Sequence, residues 1–203
     1  MVRHGETMWN KTLKYQGQTD IPLNEDGQNQ ARLTAEYFLD KDIDVIFSSD
    51  LKRAFRTAEI ISEVRDSKNG ATSLKISRYK DLREMNFGAW QGLTYQEIEE
   101  NYPDLLKKWR NDPTSVEPEN GENIVDFQKR VVDQLEDLIF KTERSNIVTV
   151  LHGGVIRVYL AYLLEMPLNN YWRLAIDNCG ISIIDFYDGE PVIKLVNYTD
   201  HLD

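Results

Sequence analysis

Cysteine is almost absent from this chain: Cys179 stands alone among 203 residues. One thiol closes no intramolecular disulfide and builds no thiolate metal site, so a disulfide-stapled scaffold and a zinc ribbon are both excluded. Histidine is scarce as well, with only His4, His152 and His201. Long apolar runs are missing; nothing approaches the roughly 18 residues that suggest a membrane span. Basic residues are the minority, 24 against 34 acidic ones, for a formal net charge of −10. Such a surface repels nucleic acid and anionic membrane, so neither is expected as a partner. It repels phosphorylated molecules too, and a site for one would have to be basic locally. Chemically loaded residues begin at position 3, which leaves no charged-then-apolar leader there, and a reducing cytoplasm is the expected location.

What is present is an ordinary globular composition, 41% hydrophobic and 29% charged, long enough to bury a core as one domain over residues 1–203. "IDVIFSSD" (43–50) reads as a short strand. "SNIVTVLHGG" (145–154) is stronger, because Ile147 to Leu151 is continuously apolar or β-branched, as in a strand buried on both faces. Residues 180–202 read as a hairpin around Asp188-Gly189. Helical periodicity covers 24–42, 51–65, 94–112 with a break near Pro103, 122–143 and 155–166. Strands alternating with helices predict an α/β fold with a mostly parallel sheet covered on both faces, and the final hairpin predicts a mixed edge. Residues 111–123, "NDPTSVEPENGEN", read as a loop, either a lid or a plain connector.

Ligands of parallel α/β sheets bind at the carboxyl ends of strands. Arg3-His4-Gly5-Glu6 and His152-Gly153-Gly154 both fit such a place, and the latter runs into a predicted helix whose first N–H groups can meet an anion. "SSDLKRAFRTA" (48–58) puts Arg53 about one helical turn past a strand end. Two arginines and two histidines can therefore converge in one pocket of an acidic protein. That set suits a phosphoryl group, with guanidinium forks for its oxygens and imidazole as nucleophile or donor. Phosphoryl transfer also needs a proton for the leaving oxygen. Glu84, in "LREMNFGAWQG", is a candidate, although the residue pattern alone does not separate it from a solvated carboxylate.

In order along the chain, "VRHGET" with "WN", "YQGQTDIPLNEDGQNQA", "SSDLKRAFRTA", "LREMNFGAWQG", "NGEN" and "LHGG" closely resemble the histidine phosphatase superfamily, in its phosphoglycerate mutase-like branch. The likeness runs from residue 2 to about 190. It implies a three-layer α/β/α sandwich with a mostly parallel mixed central sheet. It implies that His4 is the nucleophile that becomes phosphohistidine and that Glu84 is the general acid. By the same likeness, Arg3, Arg53 and His152 grip the phosphoryl oxygens, with Asn10, Gln16, Gly17 and Gly153 lining the phosphate and substrate side. No metal or cofactor is implied. The implied partner is a small phosphorylated metabolite, and homodimers are common in the family. Related mutases carry basic residues after the acid. Met85, Asn86, Phe87, Thr94 and Tyr95 stand here instead, so phosphatase is favoured over mutase. The pattern is similar to α-ribazole phosphatases and to metal-independent phosphoserine phosphatases, and a broad-specificity phosphatase is equally open. The family also has several apolar residues before its Arg-His-Gly; Met1 and Val2 stand there here, so either the first strand is short or the sequence begins late.

Other conspicuous residues take plainer readings. Trp9, Trp90, Trp109 and Trp172 are expected to pack, and Cys179 to be an inert buried thiol. His201 is expected at the surface, unless a folded-back tail brings it to the substrate, and Glu6 as a local cap or arginine partner.

Overall fold

A computed structural model describes residues 1–69, 74–142 and 146–203. Six strands form one sheet: β1 (Val2–Arg3), β2 (Val45–Ser49), β3 (Ile76–Tyr79), β4 (Ile147–Leu151), β5 (Ile181–Tyr187) and β6 (Glu190–Tyr198), in the order β3-β2-β4-β1-β5-β6. The first four in that order run parallel, while β5 and β6 are antiparallel, as expected of a mixed edge. The predicted turn holds: Asp188 and Gly189 both have positive φ, +51° and +90°, the pattern of a tight hairpin. β3 has no counterpart in the sequence reading. It is a four-residue edge strand whose side chains are mostly half-buried, so its pattern is too short and too mixed to register.

The two faces of the sheet follow the period of two along each strand. Val148 and Val150 of β4 join Ile46 and Val2 in a core under α2 (Glu25–Tyr37) and α3 (Lys52–Asn69), with Ala35, Ala54, Ala58 and Ile61. Leu151 with Val45 and Phe47 joins the opposite core under α6 (Ile124–Lys141) and α7 (Gly153–Leu163), with Phe127, Val131, Leu135, Val155 and Tyr159. The small α1 (Met8–Lys11) follows β1. The break at Pro103 is real: α4 (Tyr95–Asn101) stops, and α5 (Pro103–Asn111) starts with proline at its first position, where no backbone N–H is needed. The predicted 24–42 helix overshoots, since α2 ends at Tyr37 and Phe38 and Leu39 close it with i−3 bonds. Glu143 and Ser145, at the ends of two predicted segments, lie outside the described residues.

β1 is short, yet it is gripped on both sides. His4 N–H donates to Leu151 O (2.9 Å), Arg3 N–H to Gly180 O (3.2 Å) and Ser182 N–H to Met1 O (2.9 Å). Below Met1, residues 147–149 of β4 and the far half of β5 are not paired with β1. A cavity of about 500 Å³ lies there, lined by Met1, Ile147, Thr149, Ile184 and Phe186 among others. Four or five apolar residues added ahead of Met1 would extend β1 between β4 and β5 and bury apolar surface in this cavity. The expected outcome is a higher Tm by scanning calorimetry, about 2–4 °C for each kcal/mol gained in a chain of this size. An unchanged Tm would show that the flanking strands already hold the segment as firmly as it can be held.

Candidate active site

The carboxyl ends of β1 and β4 lie side by side, Arg3 opposite Leu151, so the residues that follow each strand meet. His4 and His152 sit edge to face with ring centroids 5.2 Å apart. His4 is 3% exposed and His152 is fully buried. His4 Nδ1 lies 2.7 Å from Gly5 O, which can only accept. The proton is therefore on Nδ1, and the lone pair is on Nε2, free for a substrate. Burial first, then the charges of Arg53 and Arg3, push His4 well below the ordinary histidine value. His152 is lowered likewise by burial and then Arg53. Both rings are neutral at physiological pH.

The two arginines are held by backbone carbonyls. Arg53, near the start of α3, donates from Nη1 to Thr19 O (2.9 Å) and from Nη2 to Gly17 O (2.7 Å). Arg3 donates from Nη1 to Ile176 O (2.6 Å). Burial lowers each to about 10, so both stay cationic. Arg3 Nε, Arg53 Nε and both ring nitrogens of His152 are buried without a hydrogen-bond partner. Unsatisfied buried donors are costly, and the two guanidinium Nε–H groups together with the single N–H of neutral His152 make a receptor for an oxyanion.

Glu84 lines the same cavity as the arginines. Its Oε2 accepts from Gly154 N–H and its Oε1 from Met85 N–H, both at 2.9 Å. A Cβ on residue 154 would lie 2.2 Å from Glu84 Oε1, so this glycine is what lets the carboxylate reach the head of α7. The acid-bearing backbone is clamped from behind by Arg130. That side chain donates to the carbonyls of Asp81, Arg83 and Glu84 and pairs with both oxygens of Glu122, the closest at 2.7 Å. Glu122 Oε1 in turn accepts from Asn86 N–H at 2.6 Å. The loop 111–123 is thus tied to the acid segment at its far end, while Pro113 near its start lines the cavity.

Arg3, His4, Asn10, Gln16, Gly17, Arg53, Glu84 and Gly153 all line one cavity of about 770 Å³, with His152 beneath His4. Every site residue expected from the sequence is brought together. Asn10 and Gln16 have structural duties as well: Asn10 Oδ1 accepts from Thr7 N–H, and Gln16 Oε1 accepts from the Thr7 hydroxyl. Several contributors are invisible in the sequence. Thr57 Oγ1 accepts from Gly5 N–H (3.1 Å), and Asn178 Nδ2 donates to His4 O (2.9 Å). Tyr171, Trp172 and Arg157 line the outer cavity. Trp172, expected to pack, stands 61% exposed at its rim, whereas Trp90 and Trp109 do pack edge to face. Glu6 pairs with Asn24, the N-cap of α2, rather than with an arginine. His201 neither lies open at the surface nor reaches the cavity; it stacks on Tyr198 and meets Thr34 Oγ1 at 3.1 Å. Cys179 is buried and its thiol pushed up to about 12 by desolvation, an inert sulfur as expected.

Among the described residues there is no group of three His, Cys, Asp or Glu placed to hold a metal ion, and none of their helices is long and apolar enough to cross a membrane. Phosphoserine phosphatase 1 of Hydrogenobacter thermophilus is 33% identical over 202 residues, covering 100% of this chain and 92% of that protein. Among solved structures, the phosphoserine phosphatase of Entamoeba histolytica, in complex with 3-phosphoglyceric acid, superposes with a TM-score of 0.85 at 34% identity, covering 99% of this chain and 96% of that one. The α-ribazole phosphatase of Shigella flexneri gives 0.84 at 28% identity, with 97% and 94% covered. The family model of the histidine phosphatase superfamily (branch 1) matches residues 1–199, and with both histidines, both arginines and the glutamate gathered at one strand-end pocket, the chain belongs to that superfamily and is a phosphatase.

Proposed function

We propose that this protein hydrolyses a small-molecule phosphate monoester, without a metal, through a phosphohistidine formed on His4. The observation that carries this reading is the ring of buried, unpartnered donors on Arg3, Arg53 and His152 around a histidine whose Nε2 lone pair is free. The neutral imidazole attacks phosphorus in line. Charge on the equatorial oxygens is met by the two guanidiniums and by His152. As the ester bond breaks, Glu84 gives its proton to the leaving oxygen. The same carboxylate then takes a proton from water, which attacks the phosphohistidine and releases phosphate. One hard displacement becomes two easier ones. Gly153 offers its N–H at the head of α7, and Asn10, Gln16 and Gly17 bound the opposite wall.

The proposed partner is a small phosphorylated metabolite, and a reducing cytoplasm is the proposed location. Among substrates, α-ribazole 5′-phosphate is supported by the Shigella likeness and by the aromatic wall of Tyr15, Phe87 and Trp172. Phosphoserine is supported by the Hydrogenobacter and Entamoeba likenesses. The test is phosphate release in EDTA from p-nitrophenyl phosphate, phosphoserine, α-ribazole 5′-phosphate, 3-phosphoglycerate and nucleoside monophosphates. Turnover of any of them in the presence of chelator supports the reading, and failure on all of them contradicts it.

Replacing His4 with Ala is expected to abolish phosphate release at unchanged Tm; retained turnover would remove His4 from the nucleophile's role. Glu84→Gln is expected to slow alkyl phosphates about 100-fold or more, the usual scale of general acid catalysis, while aryl phosphates slow far less because their leaving groups need no proton. Equal slowing of both classes would contradict the acid role. The depressed histidines predict a pH dependence of known sign. The folded state keeps His4 and His152 neutral where an unfolded histidine takes up a proton below 6.5. Stability therefore falls as pH drops through 6.5, by up to about 1.4 kcal/mol per pH unit for each ring. Imidazole NMR resonances of both rings should stay at their neutral positions at pH 6. A midpoint at or above 6.5 would contradict the burial argument.

A further inference from the structure

Arg157 lies one turn into α7, just beyond Gly153 and Gly154, and lines the cavity. Its Nε donates to Leu174 O at 2.8 Å, as Arg3 Nη1 donates to Ile176 O at 2.6 Å. The two guanidiniums thus hang from one ledge of backbone, two residues apart, a spacing of roughly 6–7 Å where the chain is extended. Leu174 is extended. Arg157 shares the cavity lining with Arg3, Tyr15 and Tyr171.

This cation has no counterion among the described residues. Among the described residues no carboxylate lies within ion-pair distance of it, and its terminal nitrogens have no hydrogen-bond partner. The cavity lining carries five cationic side chains, Arg3, Lys14, Arg53, Arg110 and Arg157, against one carboxylate, Glu84. Both oxygens of Glu84 are already engaged by backbone N–H groups. In a chain of net charge −10, a cavity lined by five cations and one carboxylate is a local reversal of sign. Its free edge presents a planar fork, the geometry that matches a carboxylate with two parallel hydrogen bonds.

We propose that Arg157 binds a carboxylate on the leaving group, and that the substrate is a small phosphorylated carboxylic acid with that carboxylate within three carbons of the ester oxygen. The proposal rests on the phosphatase reading and narrows it: Arg3, Arg53 and His152 take the phosphoryl group, and Arg157 takes the second anion. An alternative duty is purely mechanical, since the bond to Leu174 O also braces the ledge that holds Arg3. The two duties separate by substrate. A brace acts on every phosphate ester alike, whereas a carboxylate ligand acts only on esters that carry one.

The experiment compares matched esters in EDTA, O-phosphoserine against O-phosphoethanolamine and 3-phosphoglycerate against glycerol 3-phosphate, for the wild type, Arg157→Met and Arg157→Lys. p-Nitrophenyl phosphate reports the phosphatase chemistry separately. The wild type is expected to favour the carboxylated member of at least one pair by ten-fold or more in kcat/KM. Arg157→Met is expected to bring that ratio within about three-fold of unity, mainly through KM, and Arg157→Lys to restore part of it. A wild-type ratio under three-fold in both pairs, or a methionine variant that loses both members equally, would overturn the proposal. No wild-type turnover of p-nitrophenyl phosphate or of any of the paired esters would overturn the phosphatase reading and this proposal with it.

Discussion

Two guanidinium groups are buried beside a neutral imidazole, and the rest of the structure is arranged to tolerate that. Taking an ion out of water costs several kcal/mol even after relaxation. Arg3 and Arg53 have no carboxylate in contact to offset the cost; what they have is the carbonyls of Ile176, Gly17 and Thr19. These carbonyls sit in irregular segments whose positions are fixed by other elements. Residues 174–180 are tied to β1 by the bonds from Cys179 N–H to Arg3 O and from Arg3 N–H to Gly180 O. Residues 16–19 are tied through Gln16 to Thr7 and through Gln18 to Gln91 and Glu84 O. A phosphoryl group would supply the missing negative charge. The same arrangement keeps His4 unprotonated, because a third positive charge there would face two already present.

The proposed acid is positioned by a different device. Glu84 follows a 3₁₀ turn (Lys80–Leu82), which has little rigidity of its own. Its place is set by Arg130 on α6, which binds the carbonyls of Asp81, Arg83 and Glu84 and is itself held by Glu122. Arg83 pairs with Asp50 at 2.6 Å and anchors the same segment to the end of β2. The proposed nucleophile is thus fixed by the sheet and the proposed acid by ion-paired arginines. Gly154 joins the two systems, since its N–H is where the carboxylate meets the head of α7.

Much of this was legible in the residue pattern, for identifiable reasons. β4 reads as a buried strand because five consecutive apolar or β-branched residues leave no polar face, and the hairpin reads from Asp-Gly because few other pairs accept positive φ twice. The Pro103 break follows from a missing N–H. That two histidines and two arginines share a pocket was legible because histidine-glycine and serine-aspartate segments fall directly after strands, whereas the choice of His4 as nucleophile came from the family likeness. Glu84 as an acid came from the family likeness alone, since nothing local distinguishes it. β3, Arg130, Thr57, Asn178 and Arg157 were not legible. Each has a role that depends on what lies opposite it in space, a carbonyl, an amide or an open cavity, and sequence distance carries no trace of that.

The central claim is that a covalent bond forms between phosphorus and His4 Nε2. The direct measurement is a rapid base quench of the wild-type protein during turnover of a ³²P-labelled ester in EDTA, followed by peptide mapping. Base preserves phosphohistidine, which acid destroys. The account predicts an acid-labile, base-stable label on the peptide that contains His4, formed and lost at rates compatible with turnover. Turnover with no label on that peptide, or with the label on another residue, would contradict it.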